Sequence, residues 1–133
     1  IHSVDSLDLL KEINKQAQKN NRIIPCLIQV KIAKEDSKFG LDFSDAEDLI
    51  NQINDFPNVE IHGLMGMSTF TDDLEQVKAE FHSLKSFYDE MQPKFPFIQT
   101  LSMGMSGDYQ LAIELGSNMI RVGSSIFGNR IYL

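Results

Sequence analysis

Two copies of the tetrapeptide Met-Gly-Met-Ser, at 65–68 and 103–106, and the run Arg121-Val122-Gly123-Ser124-Ser125 hold the residue types best suited to chemistry. The second copy continues as Ser106-Gly107-Asp108, so a hydroxyl and a permissive backbone arrive together where a strand should turn into a helix. Backbone N–H groups left free at such a junction, beside a hydroxyl, suit an anion. Arg121 adds a charge that is never lost, and Gly123 lets a ligand come close to the main chain. These residues also have a plain structural use, because glycines and small side chains let strand ends pack and turn. Read alone, RVGSS is a glycine turn beside a surface arginine. Taken with SMGMSGD, it points to a phosphate-sized anion held between two loops.

The surrounding periodicities say which elements must position these residues. Leu7, Leu10, Ile13 and Ala17 fall on one face of a helix over 6–20, with Asp5 as its N-cap. Residues 25–33 alternate, with Cys26, Ile28, Val30 and Ile32 on one face and Gln29 and Lys31 opposite, as in a strand. After the loop KEDSKFGLD a second helix starts at Ser44, where Ser44 and Glu47 form a capping-box pair, and Pro57 stops it. Strands are expected over 59–67, 98–103 and 118–122, with helices over 72–91 and 107–115, the latter closed by Gly116. Ile1–Val4 reads as the end of a further strand. Both Met-Gly-Met-Ser copies and the RVGSS run then lie at the carboxyl ends of strands, where parallel α/β folds gather their sites.

Helix and strand alternate throughout, which predicts right-handed βαβ units and a parallel sheet in one domain over 1–133. Length alone favours an open doubly wound sheet, since a complete (β/α) barrel needs about 250 residues. The chain opens on Ile1 rather than Met and starts within an element, so a piece of a longer protein is expected. Its composition, 42% hydrophobic and 23% charged, is that of an ordinary globular domain. A net charge of −7 without any Lys/Arg cluster argues against nucleic acid. No apolar run approaches the ~18 residues of a membrane span. Cys26 is a lone cysteine in an apolar run, which predicts a buried structural thiol and a cytoplasmic location. His2, His62 and His82 lack metal-ligand spacing, and the methionines of the two repeats read as packing around strand ends.

The stretches HSVDS (2–6), KFGL (38–41), GLMGMST (63–69), LSMGMSGDY (101–109) and IRVGSSIFG (120–128) together resemble the pyridoxal-phosphate homeostasis protein family over essentially the whole chain. The resemblance implies a parallel (β/α) barrel of the alanine-racemase type, of which these residues form about the C-terminal half. It implies pyridoxal 5′-phosphate as the cofactor and a carrier or regulatory role in vitamin B6 balance, without established turnover. It further implies that Ser106, with the Met105 and Gly107 backbone, contacts the phosphate and that Gly123 and Ser124 supply the opposite side. Arg121 would face the pyridine nitrogen. A guanidinium there leaves that nitrogen unprotonated and weakens the ring as an electron sink.

The family's Schiff-base lysine belongs to the first barrel strand, and no lysine of this sequence matches its motif; Lys38 in KFGL reads as a loop residue. The enzyme alternative is an amino-acid racemase on the same barrel. Racemases of the alanine type append a β-domain bearing a catalytic tyrosine, and the stop at Leu133 leaves no room for one, which favours the carrier. A third alternative is a complete open sheet that binds an unrelated phosphate ligand; a doubly wound strand order would revive it. A part-barrel with open edges and an uncovered sheet face is also expected to self-associate.

Overall fold

Leu7–Lys19 form α1, which buries Leu10, Ile13 and Ala17 as the spacing predicts. Its N-cap is Ser6 rather than Asp5, because the Ser6 hydroxyl accepts from Leu9 N at 3.1 Å. The computed structural model describes residues 1–34 and 39–129, so Lys38 lies outside the described residues. Strand β1 covers Ile24–Gln29, and Val30 continues it only as an isolated bridge to Leu41. Helix α2 is Phe43–Asn51, one residue earlier than expected, with Asp42 at its N-cap. The Ser44–Glu47 capping box does not form; Glu47 instead takes an ion pair from Lys94 at 3.0 Å. A 3₁₀ turn over Ile53–Asp55 then leads to Pro57.

Strand β2 is Val59–Met65, and the long helix α3 is Leu74–Lys94, capped by the Asp73 side chain on Gln76 N. Its stripe of Val77, Phe81, Leu84, Tyr88 and Met91 is buried, whereas Leu74 in the first turn is exposed. Strand β3 is Thr100–Met105, α4 is Tyr109–Glu114, β4 is Met119–Arg121 and α5 is Ser124–Phe127.

The four strands pair in parallel in the order β1-β2-β3-β4. Each helix therefore returns the chain to the next place in the sheet, as in a barrel. A doubly wound sheet reverses direction at a switch point, and these four strands do not. The topology thus excludes the open-sheet alternative. Residues at the start of the chain run along the outer edge of β1, through the parallel bridge of Val4 to Ile28.

The helices cover one face of the sheet. Cys26, Ile28, Ile61, Leu64, Leu101 and Met103 pack there against Leu10, Ile50, Phe81, Leu84 and Met91. Each side chain of this kind contributes about 1.5–3 kcal/mol on full burial, which holds the strand ends in place. Close approach of β2 and β3 requires Gly63, since a Cβ there would lie 1.9 Å from the Thr100 carbonyl oxygen. On the inner face, register aligns Gln29, Met65, Ser102 and Met119 as one row across the sheet. Leu27, Met65 and Ser102 on that face are at most 3% exposed. The uncovered apolar face expected from half a barrel is thus small at these positions.

Candidate functional site

The residues singled out from the sequence meet at the carboxyl ends of β3 and β4, where the register sets Met105 beside Arg121. Two features shape the end of β3. Gly104 adopts φ +108°, which a side chain disfavours, and the pairing with β4 shifts between Ser102 and Met105. The chain then turns over Met105–Asp108 before entering α4. Asp108 N donates to Met105 O at 3.1 Å, and Asp108 Oδ1 accepts from Met105 N at 2.7 Å. Ser106 and Gly107 are the two central residues of that turn.

Ser106 reaches across to the loop after β4. Its Oγ accepts from Gly123 N at 2.9 Å and from Ser125 N at 3.1 Å, and Ser125 Oγ donates to Ser106 O at 3.5 Å. The two loops read from the sequence are therefore joined, but not as anticipated. The Gly123 N–H, expected to face an anion directly, points at the Ser106 hydroxyl. A hydroxyl carries one proton and two acceptor positions. With two N–H groups in the acceptor positions, the O–H of Ser106 remains to be given outward. Among the described residues, neither the N–H nor the hydroxyl of Ser124 has a recorded partner.

These loops border a cleft of about 1390 Å³ that also touches Gln29, Lys31, Ser68 and Thr69. A Cβ placed on Gly107 or on Gly123 would meet no heavy atom within 4 Å. Neither glycine is demanded by protein packing, so the space beside both is open to a ligand. Arg121 lies at the end of β4 and is partly exposed. Its neighbour Ile120 packs towards Ala112 of α4 and Gly104, so alternation sends Arg121 to the inner face. Among the described residues the Arg121 side chain makes no hydrogen bond or ion pair. Met105 is 45% exposed and takes part through its backbone.

The loop after β2 contributes Ser68, from the first Met-Gly-Met-Ser copy, and beside it Thr69 with its partner Glu80, which the sequence reading did not single out. Ser68 Oγ donates to Asp108 Oδ2 at 2.6 Å, which links the first Met-Gly-Met-Ser copy to the second. Thr69 is held by Glu80 of α3: its N–H donates to Oε1 at 2.6 Å and its hydroxyl to Oε2 at 2.7 Å. Thr69 Oγ1 also accepts from Lys34 N, in the loop after β1, at 2.9 Å. Glu80 is only 4% exposed. Burial pushes its carboxyl up, but hydrogen bonds from Thr69 N, the Thr69 hydroxyl, Gln76 and Lys34 N outweigh it and hold the group below the ordinary glutamate range. The available signal was an acidic residue within the apolar stripe of α3, one position before Phe81.

Other candidates resolve as structural. Cys26 is buried at 1% exposure with Sγ towards Ile24 O, and burial pushes its thiol up despite the nearby N-terminal charge. His62 pairs with Glu60 at 2.9 Å on an exposed surface, and His82 sits on the solvent side of α3. Among the described residues no group of three or more His, Cys, Asp or Glu is placed to hold a metal.

Comparison with known proteins agrees with this architecture. Aligned with the pyridoxal phosphate homeostasis protein of Aquifex aeolicus, the chain is 37% identical over 133 residues, covering 99% of this chain and 58% of that protein. The human protein of the same name is 37% identical over 139 residues, with 50% of its length covered. The chain thus spans about half the length of such relatives, from 50% to 58%. Among solved structures, PipY of Synechococcus elongatus superposes with a TM-score of 0.87 at 34% identity, over 96% of this chain and 60% of PipY. A second PipY structure, with PLP bound, gives 0.84 at 33% identity. Alanine racemase of Clostridium difficile shares the fold, with a TM-score of 0.79 at 16% identity over 97% of this chain and 36% of that one. Residues 1–130 match the family model described as alanine racemase, N-terminal domain. With four parallel strands in barrel order, and a match that runs through β1 to α5, the chain belongs to the alanine racemase N-terminal domain family.

Proposed function

We propose that this chain supplies the phosphate-holding half of a pyridoxal 5′-phosphate site, in a cytoplasmic protein that carries the cofactor within vitamin B6 homeostasis rather than turning over a substrate. The observation that carries the reading is that Ser106 Oγ accepts from both Gly123 N and Ser125 N at the border of an open cleft, which leaves its own proton to donate elsewhere. The names of the homeostasis relatives and the PLP-bound PipY structure support the choice of ligand.

In this reading Ser106 O–H and the Ser124 N–H and hydroxyl donate to the phosphate. The open sides of Gly107 and Gly123 admit its oxygens close to the main chain, beside Met105. Arg121, at the end of β4 and not among the residues that border the cleft, would face the ring nitrogen. When bound, the cofactor supplies an amine-reactive aldehyde and an electron-withdrawing ring. Arg121 tempers the second property, because a guanidinium does not pass a proton to the nitrogen it faces.

The expected partners are the small molecule alone, without nucleic acid, in keeping with the net charge of −7. Among the described residues no helix is long and apolar enough to cross a membrane. Self-association remains part of the proposal, resting now on the outer edge of β4, which pairs with no further strand among the described residues, rather than on an apolar inner face. Light scattering at tens of micromolar that returned a monomer would remove it.

Titration of the chain with inorganic phosphate, followed by amide shifts, tests the site. Movement of the Ser106, Gly123 and Ser124 signals with a dissociation constant on the order of millimolar, about 4 kcal/mol, is the expected result. Silence at those three amides would sink the reading. Addition of pyridoxal phosphate and borohydride should label lysines sparsely; stoichiometric labelling of Lys31, which borders the cleft, or of any other single lysine would overturn the view that no lysine here bonds the cofactor.

A further inference from the structure

The turn that carries Ser106 is held by hydrogen bonds and not by packing. Gly107 is exposed, and no heavy atom lies within 4 Å of where its Cβ would be. Asp108 closes the turn from both directions, through Met105 N on Oδ1 at 2.7 Å and its own N–H on Met105 O at 3.1 Å. Its remaining oxygen, Oδ2, receives the Ser68 hydroxyl at 2.6 Å. Although Asp108 occupies the N-cap of α4, its side chain makes no capping bond there, because both oxygens are engaged elsewhere. Ser68 is itself fixed through its neighbour Thr69, whose N–H and hydroxyl both end on buried Glu80.

We propose that Asp108 is a positioning residue that aims the Ser106 hydroxyl, with the Ser68–Thr69–Glu80 line holding Asp108 from the neighbouring loop. This rests on Ser106 being the donor to the anion. A carboxylate beside an anion site repels the ligand, so its presence there is useful for geometry at an electrostatic cost. Two donors on its oxygens reduce that cost. Asparagine keeps the acceptor for Met105 N and can donate to Ser68 Oγ from its amide, while removing the charge. Alanine loses both bonds.

The test compares Asp108→Ala, Asp108→Asn and Ser68→Ala in the full chain, by amide exchange without ligand and then by phosphate titration. In Asp108→Ala, exchange at Met105, Gly123 and Ser125 should rise about tenfold relative to Leu10 and Ile13 of α1, which report global stability. Phosphate affinity should fall by about the same factor. Asp108→Asn should restore both, with affinity equal to or above the parent. Gly123 and Ser125 unchanged in Asp108→Ala, or Asp108→Asn as damaging as alanine, would overturn the proposal. Were Asp108→Ala to unfold, Ser68→Ala decides the matter: a rise at Met105 and Gly123 of about threefold supports the proposal and no rise refutes it. A parent chain that shows the exchange pattern but no phosphate response would refute the anion reading while still supporting Asp108 as the group that orients Ser106.

Discussion

The two ends of the same sheet are both concave, yet they are built differently. At the amino ends of β2 and β3 a cavity of about 540 Å³ is walled by Ile53, Phe56, Pro57 and Phe97, with Glu60 and His62 at its side. Polar groups nearby are spent on sealing the entry to the strands: Asn58 N donates to Asn14 Oδ1 at 2.9 Å, and Asn58 Nδ2 to Arg22 O at 2.8 Å. At the carboxyl ends, four successive loops are tied to one another and present a hydroxyl and open glycines to a larger cleft. A binding site needs polar groups that converge on one point, and volume alone does not supply them. The parallel arrangement explains the asymmetry, since every strand delivers its following loop to the same end.

The largest expected effect comes from filling the open space. Gly123→Val meets no protein atom near its Cβ, so its side chain fills the open space and keeps the anion away, although φ −120° and ψ −76° lie outside the regions a β-branched residue favours. Phosphate titration should show affinity reduced about tenfold or more, with a cost in urea unfolding of about 1–3 kcal/mol from that backbone. A full response to phosphate would break the assignment of this end as the site.

Next is Glu80. Glu80→Ala leaves the half-buried Thr69 N–H without its acceptor and should cost about 1–3 kcal/mol in urea unfolding. The pH dependence has a definite sign. The folded-state carboxyl of Glu80 is depressed, so its contribution is fully present above the unfolded value of about 4.3 and is lost as pH falls through the lower folded value. Glu80→Gln should therefore flatten the acid side of the stability profile. An unchanged acid limb would show that the hydrogen bonds to Glu80 contribute nothing net.

A smaller change follows from Ser124→Ala, which removes one hydroxyl and leaves the backbone N–H. Phosphate affinity should weaken by about 0.5–1.5 kcal/mol, several-fold in the titration. Smallest of all, His62→Ala at the amino end should leave phosphate binding unaltered and shift stability by no more than about 0.5 kcal/mol, since its pair with Glu60 is exposed. Loss of phosphate binding in that variant would erase the distinction between the two ends.

Element types and order were legible in the sequence because apolar spacing reports which face each segment buries. The stripe of α1 appears where periodicity placed it, whereas β1 ends at Gln29 rather than at residue 33 and is buried on both faces from Cys26 to Gln29. The meeting of Ser106 with the Gly123 loop was legible too, since both motifs end neighbouring strands and parallel strands bring such ends together. Caps were less legible. Ser6 displaced Asp5, and Glu47 went to Lys94 on a distant helix, because a cap competes with every partner that the fold brings within reach.

What only the tertiary structure decided is the direction of individual hydrogen bonds. The sequence marked Gly123 as a point of close approach to the main chain, but the β3–β4 register set it opposite Ser106, so its N–H orients a hydroxyl. Glu80 is a helix residue whose neighbours in sequence give no hint of Thr69 or Lys34, which reach it only when β1, β2 and α3 are packed. Barrel order was likewise beyond periodicity, which counts strands without saying which pair. The physical reason is common to all three. Side-chain period is a property of one segment, whereas a polar group is satisfied by whichever partner lies nearest in space once the core has closed.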